Sequence, residues 1–152
     1  MARITLELPN DIIENVNKVY SNADEIFGAM TKAGAEVAEA NVRKNLPEVL
    51  KKSKFMSCVK ITRTYKTPSD GGINNAVIID GYFDTQVHEE KGHKRKSVLA
   101  PAPLVANLFE YGRSNAPFPK KPFFRKSFRK AQIEKAMKAA QRSASGGLLD
   151  DE

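Results

Sequence analysis

The chain holds one cysteine, two histidines and no tryptophan in 152 residues. A single thiol, Cys58, excludes an intrachain disulfide framework and fits a reducing cytoplasm. Long apolar runs are also missing: no window reaches the roughly 18 consecutive apolar residues needed to span a bilayer. The opening MARITLELPNDII alternates and carries acids, unlike a secretory signal. HEEKGH, His88 to His93, approaches a zinc-peptidase motif but fails it. The second histidine stands at i+5 rather than i+4, and Gly92 occupies the ligand position. SDGGIN has adjacent glycines without the Lys-Ser/Thr ending of a phosphate loop, so it reads as a turn. Cys58 has no histidine partner in view and reads as a small buried hydrophobe. These features imply no catalytic residue, no metal and no cofactor, and a chain that is not an enzyme.

Positive charge is abundant but confined. The formal net charge is +7, yet Met1–Leu50 has 5 basic and 8 acidic residues, a net of −3. Lys91–Arg142 has 14 basic against 2 acidic, a net of +12. A face of that kind suits a polyanion or an acidic protein surface; its plainer reading is a solvated helix face.

Period-two alternation over Ile4–Leu8 predicts a short strand, stopped by Pro9. Ile12, Ile13, Val16, Val19 and Tyr20 then recur on one helical face. After a break at Ser21-Asn22 a longer helix follows, with Phe27, Met30, Gly34, Val37, Ala38 and Val42 as its inner stripe, ending before Pro47. Its many small residues allow close approach to a neighbour. Alternation resumes over Phe55–Tyr65, and KTPSDGGINN supplies turn residues. Asn75–Phe83 completes a β-hairpin with a long tip. Asp84–Ser97 lacks a period and reads as a loop. Pro101 and Pro103 precede a two-turn helix that Gly112 ends, and Pro122 opens a last helix running to about Arg142. The order implies one α+β domain over residues 1–142. Its small antiparallel sheet, the N-terminal strand plus the hairpin, packs against a long helix and a C-terminal helix. Residues 143–152 form a flexible acidic tail.

One stretch fits none of these element-level explanations. LFEYGRSNAPFPKKPFFRKSF, Leu108–Phe128, places Glu-Tyr-Gly, three prolines, five phenylalanines (four of them past the glycine) and five basic residues in one short run. Gly112 can take positive φ, and Pro117, Pro119 and Pro122 hold an extended connector. Phe118, Phe123 and Phe124 have two readings: intrachain core, or a contact between subunits. Arg125, Arg129 and Lys130, placed on one helical face, would touch phosphates without reading bases.

A short apolar helix running into Glu110-Tyr111-Gly112, a proline-bearing loop, and Pro122-Phe123-Phe124-Arg125 before a terminal helix resembles the neck or tail-completion proteins of tailed bacteriophages. The order of elements from about Ile4 to Arg142 agrees, including Leu50-x-x-Ser53 before the hairpin. Arg113 stands where that family often has threonine. Lys126 and Ser127 stand where a proline often follows. The resemblance implies a structural virion protein at the head–tail joint, assembled in the bacterial host cytoplasm. It further implies a self-made ring, a hexamer favoured, between a head-closure or adaptor protein and a tail terminator or tail-tube protein. DNA would pass through the lumen without sequence readout, and no membrane is involved. Candidate interface residues are Glu110, Tyr111, Gly112, Arg113, Phe118, Pro122, Phe123, Phe124 and Arg125. Candidate contacts to lumen DNA or an acidic partner are Lys120, Lys121, Arg125, Arg129 and Lys130. The alternative is a basic domain that binds nucleic acid without sequence preference.

Overall fold

A computed structural model describes residues 10–85, 98–113 and 118–146. The expected strand at Ile4–Leu8, the HEEKGH stretch and the last six residues lie outside these ranges. Helix α1 spans Asn10–Ser21 and helix α2 spans Ala23–Asn45, with the chain breaking between them as the Ser21-Asn22 signal predicts. Asp24 and Glu25 sit in the first turn of α2 and Arg43 and Lys44 in its last, matching the helix dipole at both ends. Pro47 ends this run, and a single turn, α3 (Glu48–Lys51), follows.

The expected strand over Phe55–Tyr65 is corrected. Lys54–Cys58 forms a 3-10 turn, and strand β1 covers only Val59–Ile61. Ser53 caps the turn by accepting the Phe55 N–H at 3.2 Å. Residues three apart eclipse on a 3-10 helix, so Phe55 and Cys58 both enter the core. Strict alternation would have turned Cys58 outward. Strands β2 (Tyr65–Lys66), β3 (Ile73–Asn74) and β4 (Val77–Ile79) complete the hairpin, with antiparallel pairs Val59↔Ile79 and Tyr65↔Asn74 setting the register. At its tip Asp70 Oδ1 accepts the Gly72 N–H at 2.9 Å and Gly71 has φ 68°, so SDGGIN is a turn.

The strand expected over Asn75–Phe83 divides at Gly81, whose φ of 98° swings the chain out of the ladder. The Asp80 N–H still donates to the Cys58 carbonyl. Beyond it, β5 (Tyr82–Thr85) pairs with a strand that the alternation does not announce, β6 (Val98–Pro101), through Phe83↔Ala100. Asp84 and Thr85 are therefore strand rather than loop. The described residues thus contain three two-stranded antiparallel sheets in an α+β fold.

Helix α4 (Ala102–Tyr111) follows β6 directly, and helix α5 (Lys130–Ser145) closes the chain, ending at a left-handed Gly146. Its start is a further correction. Pro122 opens an extended segment and a 3-10 turn at Arg125–Ser127, and α5 begins only at Lys130. The longest packing seam joins α2 to α5. Gly34 makes it close, because a Cβ there would sit 3.0 Å from Met137 Cγ and 3.2 Å from Ile133 Cγ2. The inner stripe of α2 is Ile26, Gly34, Ala35, Ala38 and Val42. Phe27, expected inside, is 52% exposed. It lines a hollow between α2, the polar hairpin tip and Met137 of α5. Val42, Leu46, Leu50, Phe55, Val59, Phe83, Ala102 and Phe123 form the main core.

Candidate functional site

The residues of the Leu108–Phe128 stretch meet in one elbow. Helix α4 puts Glu110 on its inner face, where the side chain is only 6% exposed. Gly112 then turns the chain with φ 79° and ψ −172°, while its N–H donates to the Leu108 carbonyl. A Cβ at this position would stand 3.1 Å from both Lys120 Cγ and the Phe118 carbonyl oxygen. Backbone angle and space both demand glycine here. The returning chain is tied back by an Arg113↔Phe118 bridge and by the Lys121 N–H donating to the Phe109 carbonyl at 2.8 Å. Phe118 packs edge-on against Phe109 at 5.1 Å between ring centres.

Glu110 then acts as a helix cap from a distance. Its Oε2 accepts the N–H of Phe123 at 2.9 Å and of Phe124 at 3.0 Å. Its Oε1 accepts Arg125 N–H at 3.3 Å and Arg125 Nε at 2.9 Å. With four donors on one carboxylate, Glu110 caps the short 3-10 turn at Arg125–Ser127, and the non-helical backbone of Phe128 (ψ 77°) and Arg129 (ψ 101°) separates that turn from α5. Burial by itself would raise the Glu110 carboxyl. The Arg125 side-chain hydrogen bond and the backbone N–H groups of Phe123, Phe124 and Arg125 outweigh it, holding the carboxyl below its ordinary value. The hydrogen bond to Glu110 raises the Arg125 guanidinium above its ordinary value, and Arg125 lies 4.9 Å from the centre of the Tyr111 ring. Its side chain remains 65% exposed.

Ser127 is the second anchor. Fully buried, it donates from Oγ to the Phe123 carbonyl at 2.6 Å and accepts Asn45 Nδ2 at 3.0 Å. Asn41 Nδ2 donates to the Ser127 carbonyl at 3.2 Å and to Gln132 Oε1 at 3.0 Å. Helix α2 therefore holds the elbow through two asparagines that periodicity alone leaves unremarked. A polar pair four residues apart on an otherwise apolar helix face was the signal available for them.

Each predicted site residue now has a place. Glu110 and Phe123 are interior, and Phe124 is half-buried against the core. Tyr111, Arg113, Phe118, Lys120, Lys121, Arg125, Arg129 and Lys130 reach the surface, and Pro122 is half-buried. Arg125, Arg129 and Lys130 do not share a helical face as expected, since a 3-10 turn and an extended Arg129 separate Arg125 from α5. Lys130 sits at the first position of α5 and lies 3.6 Å from Glu134. Beside the elbow opens a hollow of about 290 Å³, lined by Ile79, Pro103, Ala106, Asn107, Glu110, Tyr111, Phe124 and Arg125. Among the described residues no group of three or more His, Cys, Asp or Glu side chains converges to hold a metal. Cys58 is buried, 3.7 Å through its thiol from the Tyr82 carbonyl.

No known protein family, curated protein or solved structure matches the chain.

Proposed function

We propose that this protein is a non-enzymatic structural component of a tailed-phage particle, a neck or tail-completion subunit that works in a ring between head and tail. The observation that carries the reading is the elbow. The residues that bear the resemblance, Glu110-Tyr111-Gly112 and Pro122-Phe123-Phe124-Arg125, form a single interlocked unit around one carboxylate. A unit of this kind presents Tyr111, Phe118 and a cluster of basic side chains from a rigid base. That is what a docking surface in a stacked assembly needs, because ordering costs little on contact. A hexamer between a head-closure or adaptor protein and a tail terminator or tail-tube protein is the arrangement the resemblance favours, in the virion and built in the host cytoplasm.

Particles assembled without the protein should accumulate as filled heads and separate tails, visible by electron microscopy. Normal joining in its absence would end the proposal. The competing reading, a domain that binds nucleic acid without sequence preference, rests on the +12 net charge of Lys91–Arg142. Neutralising Arg129 and Lys130, with Arg125 kept because it belongs to the elbow, separates the two. The neck reading expects joining yield to fall more than DNA retention at two salt concentrations. Steep, salt-sensitive DNA binding abolished by those changes would favour the nucleic-acid domain.

A further inference from the structure

Helix α1 carries an apolar stripe on the outside of the chain. Ile12, Ile13, Val16 and Tyr20 are all exposed, Val16 at 60%. Among the described residues its chief packing partner is α2. A 12-residue helix is marginal in water by itself, so such a stripe is stabilised by burial against something. Its flanks do not suit an anionic membrane surface, which takes a rim of Lys and Arg. Asn15 and Asn17 border the stripe, and Asn10–Glu25 has four acids against one base.

The opposite character appears at the elbow. The hollow beside α4 is apolar through Ile79, Pro103, Ala106 and Phe124, with exposed Leu104 and Tyr111 nearby. Ala102–Lys130 has seven basic residues against one acid, and that acid is the buried Glu110. One chain therefore bears an apolar helix in acidic surroundings and an apolar hollow in basic surroundings. We propose that α1 of one copy docks into the α4 hollow of a second copy, with Ile12, Val16 and Tyr20 as its i, i+4 and i+8 anchors. This is helix-in-groove recognition, with opposite charge steering the approach. The contact is head-to-tail, so the second copy keeps its own α1 for a third, and such contacts close into rings or grow into filaments. The inference rests on the ring reading above and adds the two surfaces that make it.

Thiol crosslinking of the full purified chain tests it. Val16→Cys and Leu104→Cys both replace exposed residues, and the unmodified chain, with Cys58 buried, reports the background. The double variant should give a ladder of crosslinked species. A mixture of the two single variants should give heterodimers and stop there, because each has one reacting surface. Excess unlabelled wild type should suppress the product, and excess chain carrying both Val16→Asp and Leu104→Asp, impaired on both surfaces, should not. Melting curves confirm that each variant is folded. Heterodimer yield no higher than for Val16→Cys mixed with Lys138→Cys, on exposed α5, would overturn the proposal. So would Val16→Cys pairing chiefly with itself, which indicates a symmetric contact. A missing crosslink removes this interface and leaves the neck reading standing. Normal head–tail joining without the protein removes that reading and leaves the crosslink unexplained by it.

Discussion

The elbow and helix α1 start from similar sequence signals, apolar residues interleaved with charge and polar caps, and reach opposite ends. In the elbow Phe123 is 1% exposed and Glu110 has every carboxylate oxygen engaged. In α1 the apolar stripe stays outside. The difference is what stands opposite. The elbow returns onto α4 and is gripped from behind by Asn41 and Asn45 of α2, so its aromatics close the core. No such second layer covers α1 among the described residues. Amphipathic periodicity thus announces that a face wants cover, and only the neighbours decide whether the chain supplies it.

If the elbow is a core element, Phe123→Ala should have the largest effect. Removing a fully buried phenylalanine should cost about 3–5 kcal/mol, read by denaturant melts. A cost near zero would put the ring on the wrong side of the comparison.

Next comes Glu110→Gln, expected to cost roughly 1.5–3 kcal/mol at neutral pH because hydrogen bonds to a charged acceptor are weakened or lost. Its pH dependence has a definite sign. The folded carboxyl titrates below its ordinary value, so the unfolded chain takes up the proton first as pH falls. The stabilisation is complete above the ordinary carboxyl range and is lost as pH drops through it toward the lower folded value. Melts of Glu110→Gln across acid pH should lack that part of the slope; an unchanged slope would show that other carboxylates carry it.

Gly112→Ala should come third, at about 1–3 kcal/mol, since φ 79° with ψ −172° suits glycine and Phe118 crowds the added methyl. Thermal melting checks it, and a wild-type value would mean the turn relaxes. The smallest stability effect belongs to α1. Val16→Asp should change folding free energy by no more than about 0.5 kcal/mol, as for surface positions generally. A larger loss would show that the stripe is covered within the chain and would erase the contrast with the elbow.

Much of the local structure was legible in the residues alone. The break at Ser21-Asn22, the stop at Pro47, the Asp-Gly turn and the helix end at Gly112 follow from steric and capping preferences that act within a few residues. The small residues of α2 announced close approach, and Gly34 delivers it against Met137 and Ile133. Other features depended on distant partners. Phe55–Cys58 leaves strand geometry because both ends must reach one core. The chain at Gly81 changes sheets because β6 pairs there, although β6 itself has no alternation to reveal it. The chain after Pro122 makes only a 3-10 turn, capped by Glu110 twelve residues earlier, and α5 waits until Lys130 because Phe128 and Arg129 are not helical. The sequence by itself determined where the chain can turn and which faces are apolar, since φ preference and hydrophobicity belong to single residues. Tertiary structure alone decided that Glu110 is an internal anchor, that Arg125 parts from Arg129 and Lys130, and that the apolar stripe of α1 is left uncovered among the described residues. Those outcomes depend on which groups meet across the fold, and a hydrogen bond or a buried face is a property of two partners rather than one.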